Sequence, residues 1–441
     1  MNRNIIIVTL IILSIMIVAL LTNFQPLINL QIPLGLIAFS SVFFSRGILI
    51  FLTTLCLALA QSPFAVVTSA ALRLRWLFFT LFALHVFGDI FLGRTVRKIK
   101  IFDCLAVIFI VYAFFSSLYS RYPSLTLERA TTALVLYISI FWIIWKYAYH
   151  NGPEKVVYLI LNVTKLIFII SYLMMFISPH MVFHAGRFQG IFQNPNSIGI
   201  TCAIFLPLGL WQFLETKKRG ALFLFFLMLA GLFLCGSRNS INATIIALGY
   251  FIYTRSKKFK PLIFFTSMSL IVILFWGVQT LAKPFFKEYY RTETIPTMGG
   301  RVEIWPIALQ LIADKPIFGY GFGTEDKLVR PGYSKGPRSE ISYIHNSYLG
   351  IMLQLGIFGL ILFFAPLLIL LLKELFSMQD SAVPLLRRAL RASMIAGLLC
   401  AIFESWVYSV GNAQTFPFWI IVMLLVFYRY QDKERPLPES T

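Results

Sequence analysis

One histidine and three arginines, each at the edge of an apolar run, are the residues best suited to chemistry. His345 and Asn346 close the longest polar stretch and directly precede an apolar run that contains Gly356 and Gly359. The unperturbed imidazole pKa of about 6.5 suits a general base. A lone histidine is usually structural. One that lies where a polar loop meets a membrane helix, however, could face both lipid head groups and a watery pocket.

Arg187 lies in a polar loop that ends in two asparagines, Asn194 and Asn196. In one interpretation the loop is a simple turn, and Asn196 or Ser197 caps the helix that begins at 198. In the other, Arg187 binds an anion beside that helix N-terminus, where the dipole and the unpaired N–H groups also favour negative charge. The sequence leaves both interpretations open.

Arg238 begins an apolar run almost directly after the previous run ends, in the string GSRNS at 236–240. Its guanidinium could simply extend to lipid head groups. It could equally mark a site, because an arginine held at the rim of a helical bundle is energetically costly.

Arg301 follows Gly299 and Gly300 and stands in the first turn of a predicted amphipathic helix that runs to residue 313. The predicted apolar face consists of four residues at helical spacing, Val302, Trp305, Leu309 and Ile312. A cation is unfavourable at this end of the helix dipole. A bound anion could compensate for it, and so could Glu303.

The string Gly319-Tyr320-Gly321-Phe322-Gly323 follows this helix. No βαβ pattern surrounds it, so it does not indicate a nucleotide-binding loop. It predicts a tight turn after the helix stop at Lys315-Pro316.

Three arginines and a histidine predicted to share one face of a membrane suggest a reaction at a phosphate-bearing lipid. Arginine binds phosphate bidentately, and preorganised cations stabilise a departing anion. The sequence contains no Asp-x-Asp pair and no His/Cys cluster with metal-ligand spacing. We therefore predict no metal or other cofactor, and the arginines would have to balance the charge of a diphosphate.

Composition places these residues in an all-α polytopic membrane protein. The 441-residue chain is 59% hydrophobic and 13% charged, whereas soluble domains are about one quarter charged. A net charge of +20 would suggest nucleic acid binding in a soluble protein. Here most Lys and Arg residues lie in short loops, where the positive-inside rule explains them. Five cysteines without CxxC spacing predict buried packing residues.

We expect 12–14 transmembrane helices, because fourteen apolar runs are candidate spans and the region 27–75 could hold fewer than it suggests. The candidates are 5–21, 27–44, 48–62, 76–92, 101–118, 131–149, 156–177, 198–214, 220–236, 239–254, 261–281, 346–372, 390–408 and 415–428. The first is expected to be an uncleaved helix, since no small-x-small cleavage site follows it.

The Lys and Arg clusters predict that both termini are cytoplasmic and that His345 and the three arginines face the outside, the periplasm of a Gram-negative cell. The predicted organisation has four parts. These are N-terminal transmembrane helices (1–281), a long external loop carrying part of the active site (282–345), C-terminal transmembrane helices (346–428) and a cytoplasmic tail (429–441).

Four motifs together resemble the O-antigen ligase and O-antigen polymerase superfamily of bacterial membrane glycosyltransferases, with O-antigen ligases closest. They are R-x-x-G-x-F-x-N-P-N at Arg187, S-R at Ser237, G-R-x-x-x-W at Gly300 with P-x-x-G-x-G at Pro316, and H-[NSQ]-x9-G-x-x-G at His345. The threonines that often follow the ligase glycines are absent here, where Leu360-Ile361-Leu362 stands. That departure weakens ligase relative to polymerase.

The resemblance implies a GT-C-like helical fold, an undecaprenyl-diphosphate-linked glycan as donor, and an active site under the long external loop. It implies that arginines hold the diphosphate while the histidine deprotonates the acceptor hydroxyl, with inversion at the sugar and without metal or nucleotide sugar. The catalytic candidates are His345, Arg301, Arg238 and Arg187. The substrate-binding candidates are Asn346, Asn194, Asn196, Trp305 and Tyr320.

The first hypothesis is an O-antigen ligase that transfers glycan to lipid A-core oligosaccharide on the periplasmic face of the inner membrane, in lipopolysaccharide biosynthesis. The alternatives are an O-antigen or exopolysaccharide polymerase and a protein-glycosylating oligosaccharyltransferase. A transporter of lipid-linked glycan is a rival from another class, but it should carry charged residues near mid-membrane. Asp89, Asp103 and Glu404 are predicted near span ends instead.

Overall fold

The computed structural model describes residues 45–93, 99–254, 301–333, 343–376, 383–409 and 411–434. Three predicted spans, at 5–21, 27–44 and 261–281, lie outside these residues, as does much of the predicted external loop. The described chain is almost entirely helical, with one short antiparallel hairpin. The prediction of an all-α polytopic membrane protein is confirmed.

The helices of this part of the chain are, in order, α1 (Arg46–Leu59), α2 (Ala65–Phe91), α3 (Ile101–Phe115), α4 (Pro123–Ile138), α5 (Trp145–Asn151), α6 (Pro153–Ile177), α7 (Pro179–Val182), α8 (Pro195–Thr216), α9 (Arg219–Leu234), α10 (Arg238–Tyr253), α11 (Arg301–Asp314), α12 (Glu325–Tyr333), α13 (Ser347–Phe376), α14 (Leu385–Cys400) and α15 (Thr415–Glu434). A π-helical segment, Ser139–Ile144, joins α4 to α5. The hairpin strands are β1 (Phe183–His184) and β2 (Arg187–Phe188).

Six helical stretches of the described chain are long and apolar enough to cross a membrane. They are Ala65–Phe91, Ile101–Leu118, Pro123–Asn151, Pro153–Ile177, Pro195–Thr216 and Ser347–Phe376. Large apolar side chains point away from the protein on several of them, including Phe91, Phe176 and Phe376. Such exposure is unfavourable in water and suits contact with lipid.

Helix α8 lies at the centre of the bundle, where it packs against α9, α10 and α14. It begins at Pro195, whose missing N–H and fixed φ suit the first helical position. The Asn194 side chain caps the helix, with Oδ1 accepting from the Asn196 N–H at 2.8 Å. The expectation that Asn196 or Ser197 would cap a helix from 198 is therefore wrong.

The two C-terminal spans end at different residues from the predicted ones. The predicted span 390–408 is α14, which stops at Cys400, and a turn-rich loop then leads to α15. Hydropathy missed this stop because the residues just after it, Ala401 to Phe403, are as apolar as the helix. Helix α15 continues to Glu434, into the predicted tail.

The described part of the external loop packs on the bundle through α11, which lies against α13. The helix itself is confirmed, but its buried face is formed by Ile304, Ala308 and Ile312. The predicted face is wrong for Val302 and Leu309, which are exposed. The rotation of 100° per residue in a helix could not by itself show which of two adjacent apolar stripes is buried.

The turn after α11 is confirmed and packs tightly on a break in α13. Gly356 has φ +64°, and a Cβ there would collide with the carbonyl oxygen of Ile317. The Ile357 N–H donates to the Pro316 carbonyl at 2.9 Å. Glycine at position 356 thus permits the backbone of α13 to approach a turn of the external loop closely.

Candidate active site

Glu404 joins four residues of the sequence motifs in one hydrogen-bonded cluster. Its Oε1 accepts from Asn196 Nδ2 at 2.6 Å and from Arg301 Nη2 at 2.8 Å. Its Oε2 lies 3.0 Å from Nδ1 of His345. Together with Arg187, which reaches it through Asn196, these residues form what we call the Glu404 cluster.

Arg187 enters the cluster from the β1–β2 hairpin, where it is buried. Its Nη2 donates to Asn196 Oδ1 at 2.7 Å, and its Nε donates to the Cys235 carbonyl at 2.7 Å. The amide of Asn196 therefore links the guanidinium to Glu404, with its oxygen accepting from one partner and its nitrogen donating to the other. Both residues had been predicted as site residues from the same motif.

Arg301 is the first residue of α11, where a cation opposes the helix dipole. The sequence offered a bound anion or Glu303 as its counter-charge. In the structure Glu404 fills that role, and the Arg301 Nε also donates to the Phe403 carbonyl at 3.1 Å. These contacts hold the Arg301 guanidinium, at the start of α11, against the loop that follows α14.

His345 adopts a left-handed backbone conformation with φ +55°, which is uncommon for a residue other than glycine and recurs at functional sites. Its side chain retains 33% exposure. An ionised carboxylate can only accept a hydrogen bond, so Nδ1 carries the hydrogen that faces Glu404. Nε2 is then the nitrogen that can take up a proton.

The charges of the Glu404 cluster shift the pKa values of its members in opposite directions. Burial lowers the pKa of His345, but the Glu404 carboxylate more than offsets it, and the pKa is raised above its ordinary value. Burial raises the pKa of Glu404, yet His345 and Arg301 outweigh it and leave the pKa lowered. Glu404 is therefore ionised at neutral pH. With a neutral His345, the cluster contains two guanidinium groups and one carboxylate, so its net charge is positive.

Asn346 and Trp305 hold the backbone on either side of His345. Asn346 Oδ1 caps α13 by accepting from the N–H groups of Tyr348 at 2.9 Å and Leu349 at 3.0 Å. The indole N–H of Trp305 donates to the Ile344 carbonyl at 3.1 Å. Their polar atoms thus position the histidine, and their substrate-binding roles stay predictions.

The structure places the other three candidate residues in different surroundings. Arg238 begins α10, and its neighbour Asn239 donates to the Cys400 carbonyl at 3.2 Å, beside the loop that carries Glu404. The side chain of Asn194 is engaged in capping α8. The Tyr320 hydroxyl donates to the Leu311 carbonyl at 3.0 Å, and its ring is buried beneath α11. The site roles of Arg238, Asn194 and Tyr320 stay predictions.

A second carboxyl group, that of Glu325, links the segment before α13 to the loop that follows α14. Its Oε1 accepts from the Ile344 N–H at 2.7 Å and from the Ser405 hydroxyl at 2.9 Å, and its Oε2 accepts from the Tyr408 hydroxyl. Glu325 is buried. Burial raises its pKa above the usual value, although these hydrogen bonds act against the shift.

Sequence reasoning missed both glutamates as site residues because neither lies in a motif. A signal for Glu404 existed, since it is the one acidic residue between 385 and 431. A carboxylate in so apolar a stretch is costly unless it is paired. No comparable signal marks Glu325, which stands among other acidic residues of the external loop.

Among the residues that the structure describes, no group of three or more His, Cys, Asp or Glu side chains could hold a metal ion. The five cysteines are free thiols, and four are buried as predicted. Cys104 is exposed on α3. The prediction of burial is wrong there, because an apolar run does not show which of its faces meets lipid.

The fold and the Glu404 cluster define a polytopic membrane protein with a polar site at one end of a helical bundle. Residues 223–364 match the sequence profile of the O-antigen ligase family. The family resemblance predicted from the motifs is confirmed. The matched stretch contains Arg238, Arg301 and His345, and it ends before Glu404.

Three relatives agree with this match. A protein of Rickettsia conorii, named as a polysaccharide ligase, is 28% identical over 222 residues, which cover 47% of this chain and 51% of that protein. A protein of Rickettsia felis named in the same way is 33% identical over 164 residues, 33% of this chain and 38% of that protein. The ComP-specific O-oligosaccharyltransferase of Acinetobacter baylyi is 32% identical over 150 residues, 31% and 26% respectively.

The matches span about half the length of the first relative and less of the other two. Two of these relatives are named for a polysaccharide ligase and the third for an oligosaccharyltransferase.

Proposed function

We propose that this protein is an O-antigen ligase that transfers glycan from undecaprenyl diphosphate to lipid A-core oligosaccharide at the periplasmic face of the inner membrane. The observation that carries the proposal is the Glu404 cluster, in which one carboxylate orients His345 and holds Arg301. Arg187 is linked to that carboxylate through Asn196. The proposal places both termini in the cytoplasm, as the Lys and Arg distribution predicts.

In the proposed reaction, Nε2 of His345 accepts the proton of an acceptor hydroxyl as its oxygen bonds to the anomeric carbon of the donor sugar. The bond between that carbon and the diphosphate oxygen breaks on the opposite face, so the configuration inverts. The diphosphate leaves with the bonding electron pair. Glu404 stabilises the imidazolium that forms, as an orienting carboxylate does in catalytic triads.

The cationic character of the cluster suits the leaving group. Arg301 and Arg187 are already fixed by Glu404 and Asn196, so their charge needs little reorganisation when a diphosphate develops beside them. Fixed donors that meet a developing anion are usually the largest single contribution to catalysis. The proposed mechanism uses no metal, because guanidinium groups supply the counter-charge.

Two related functions differ only in the acceptor. The absence of the threonines after Gly359 favours a polymerase that joins lipid-linked repeat units. The similarity to an oligosaccharyltransferase named as ComP-specific favours transfer to a protein hydroxyl. In both cases the base and the arginines keep the roles given above.

The surface glycans of a deletion strain distinguish these functions. A ligase deletion leaves bare lipid A-core with polymer retained on the carrier lipid. A polymerase deletion leaves core capped with one repeat unit. Loss of a glycoprotein with normal lipopolysaccharide would instead identify a protein-glycosylating enzyme. Unchanged lipopolysaccharide and unchanged glycoproteins would refute all three functions.

A further inference from the structure

We infer that a groove at the end of the bundle opposite the Glu404 cluster binds an acidic phospholipid. The groove has a volume of about 400 Å³ and lies between α3, α13 and α15. It combines an apolar wall with three cationic side chains at one end. This inference is independent of the proposed function.

The position of the groove follows from the course of α13. That helix begins at Ser347, next to His345, and the cation that it contributes to the groove is Lys373, near its other end. Beyond the break at Gly356, α13 rises roughly 24 Å from Ile357 to Lys373 at 1.5 Å per residue, which is most of the roughly 30 Å hydrocarbon core of a bilayer. Arg429 stands near the far end of α15 in the same way.

The wall of the groove is apolar along its length. Phe102 and Leu105 line it from α3, and Pro366, Ile369 and Leu370 line it from α13. Ile369 retains 45% exposure, so the wall is open towards the surroundings of the bundle. A groove of this composition on a membrane-spanning chain suits an acyl chain, because the two share the same hydrocarbon chemistry.

Lys100, Lys373 and Arg429 stand at the polar end of the groove. The Lys100 ammonium lies 4.6 Å from the ring centre of Tyr430. The Arg429 Nη1 donates to the Lys373 carbonyl at 3.1 Å. The three cations therefore converge from the start of α3, from α13 and from α15, and a phosphate with several acceptor oxygens can bridge such a set of donors.

Neighbouring carboxylates do not neutralise these cations. Glu374 lies 3.4 Å from Arg429, but it is shared with Arg387 at 2.8 Å and Arg391 at 2.8 Å. Asp103 accepts from the Lys100 N–H at 2.8 Å and from the Tyr137 hydroxyl at 2.6 Å. Among the side chains that the structure describes at this end, the cations thus outnumber the carboxylates, and a bound anion would reduce their mutual repulsion.

An anionic diacyl lipid satisfies both halves of the groove, with its phosphate among the three cations and an acyl chain along α13. The predicted cytoplasmic leaflet is the one that presents such lipids to basic residues. At their other ends, α13 and α15 bond to the loop that carries Glu404, through Ser347 to the Glu404 carbonyl and through Thr415 to the Trp406 carbonyl. An occupied groove therefore stabilises the two helices that hold this loop.

The test uses the full-length protein, purified and delipidated, titrated with phosphatidylglycerol in mixed micelles. Thermal unfolding and native mass spectrometry report binding. The groove variant is Lys100→Gln with Lys373→Gln. The matched control is Lys155→Gln with Lys218→Gln, which removes two exposed lysines from the same predicted membrane face. We expect the groove variant to need roughly tenfold more lipid for the same rise in Tm, because each basic residue near an anionic lipid adds to the affinity for that lipid.

The titration also includes phosphatidylcholine and glycerol phosphate as separate arms. An equal response to phosphatidylcholine would overturn the requirement for an anionic lipid. An equal response to glycerol phosphate would show that the cations bind a free phosphate and that the apolar wall is not used. Equal midpoints for the groove and control variants would remove the groove as the site. A second variant, Ile369→Trp, narrows the apolar wall without changing charge and is expected to weaken lipid retention.

Discussion

Nδ1 of His345 lies 3.0 Å from Oε2 of Glu404, although the two residues are 59 positions apart in the sequence. This contact turns a histidine at a helix start into an oriented base, because it fixes the hydrogen on Nδ1 and leaves Nε2 for the acceptor. The same carboxylate holds Arg301 at 2.8 Å. One glutamate thus sets the relative positions of the proposed base and of an arginine proposed to meet the leaving group.

His345→Ala should reduce glycan transfer by about 10²–10⁴-fold, the usual contribution of a general base. Donor binding should remain, because the arginines are unchanged. Transfer is measured with purified enzyme and lipid-linked donor. His150→Ala, which alters an exposed histidine of α5, is the control and should retain activity. Near-normal transfer by His345→Ala would remove this residue as the base.

Glu404→Gln should move the acidic limb of the pH–rate profile to lower pH. The base must be neutral, and the Glu404 carboxylate raises the pKa of His345 above its ordinary value. Removing that charge lowers the pKa, so the histidine loses its proton at a lower pH. The maximal rate should also fall, since the hydrogen on Nδ1 is less well fixed. A limb that stays in place would show that the two residues do not titrate together in the working enzyme.

Arg301→Ala and Arg187→Ala should each lower the rate of transfer by roughly 10²–10³-fold, the effect of removing one preorganised donor from a developing anion. Arg301→Lys should recover only part of the rate, because an ammonium cannot bind bidentately. The reference is Lys327→Ala, which removes an exposed charge from α12 of the same loop. Similar small losses in all of these variants would argue against a diphosphate clamp.

Glu325→Gln should preserve the fold, whereas Glu325→Ala should destabilise it by about 1–3 kcal/mol for each buried donor that it leaves without a partner. Burial raises the pKa of Glu325 in the folded state. The contribution of Glu325 to the free energy of unfolding is therefore fully present below the unfolded pKa of about 4.3 and is lost as pH rises through the folded value. The Glu325→Gln variant has no titrating group at this position and does not lose stability in this way. The difference between its Tm and the wild-type Tm should therefore increase with pH. A constant difference would mean that Glu325 is ionised in the folded protein.

Gly356→Ala should lower the Tm markedly, because a Cβ at φ +64° would collide with the Ile317 carbonyl. Gly88→Ala is the matched control. Gly88 lies inside α2, and no atom lies within 4 Å of the position that a methyl group would take there. Alanine at this position should be neutral or slightly stabilising. Thermal unfolding of both variants in the same detergent compares them. Equal Tm values would show that the turn after α11 can move away from α13.

Much of the fold could be predicted because a membrane leaves few choices. Runs such as 101–118 and 156–177 correspond to helices that end within a few residues of the predicted ends. Lipid forces the backbone to bond within each helix, so hydropathy alone finds them. The same reasoning failed at 390–408, since the apolar residues after Cys400 form a loop whose polar groups bond to the protein. The Ser347 hydroxyl, for example, donates to the Glu404 carbonyl at 2.6 Å.

The motifs identified Arg187, Asn196, Arg301 and His345 because residue types and positions relative to the apolar runs can be read directly from the sequence. Only the tertiary structure decided that they meet, and that Glu404 is where they meet. Pairing between residues 59 to 208 positions apart depends on how the helices pack, and no local pattern encodes it. The sequence by itself thus determined a membrane bundle with a cationic end that carries a histidine. The packing of α8, α11 and α14 determined which of these polar groups bond to Glu404.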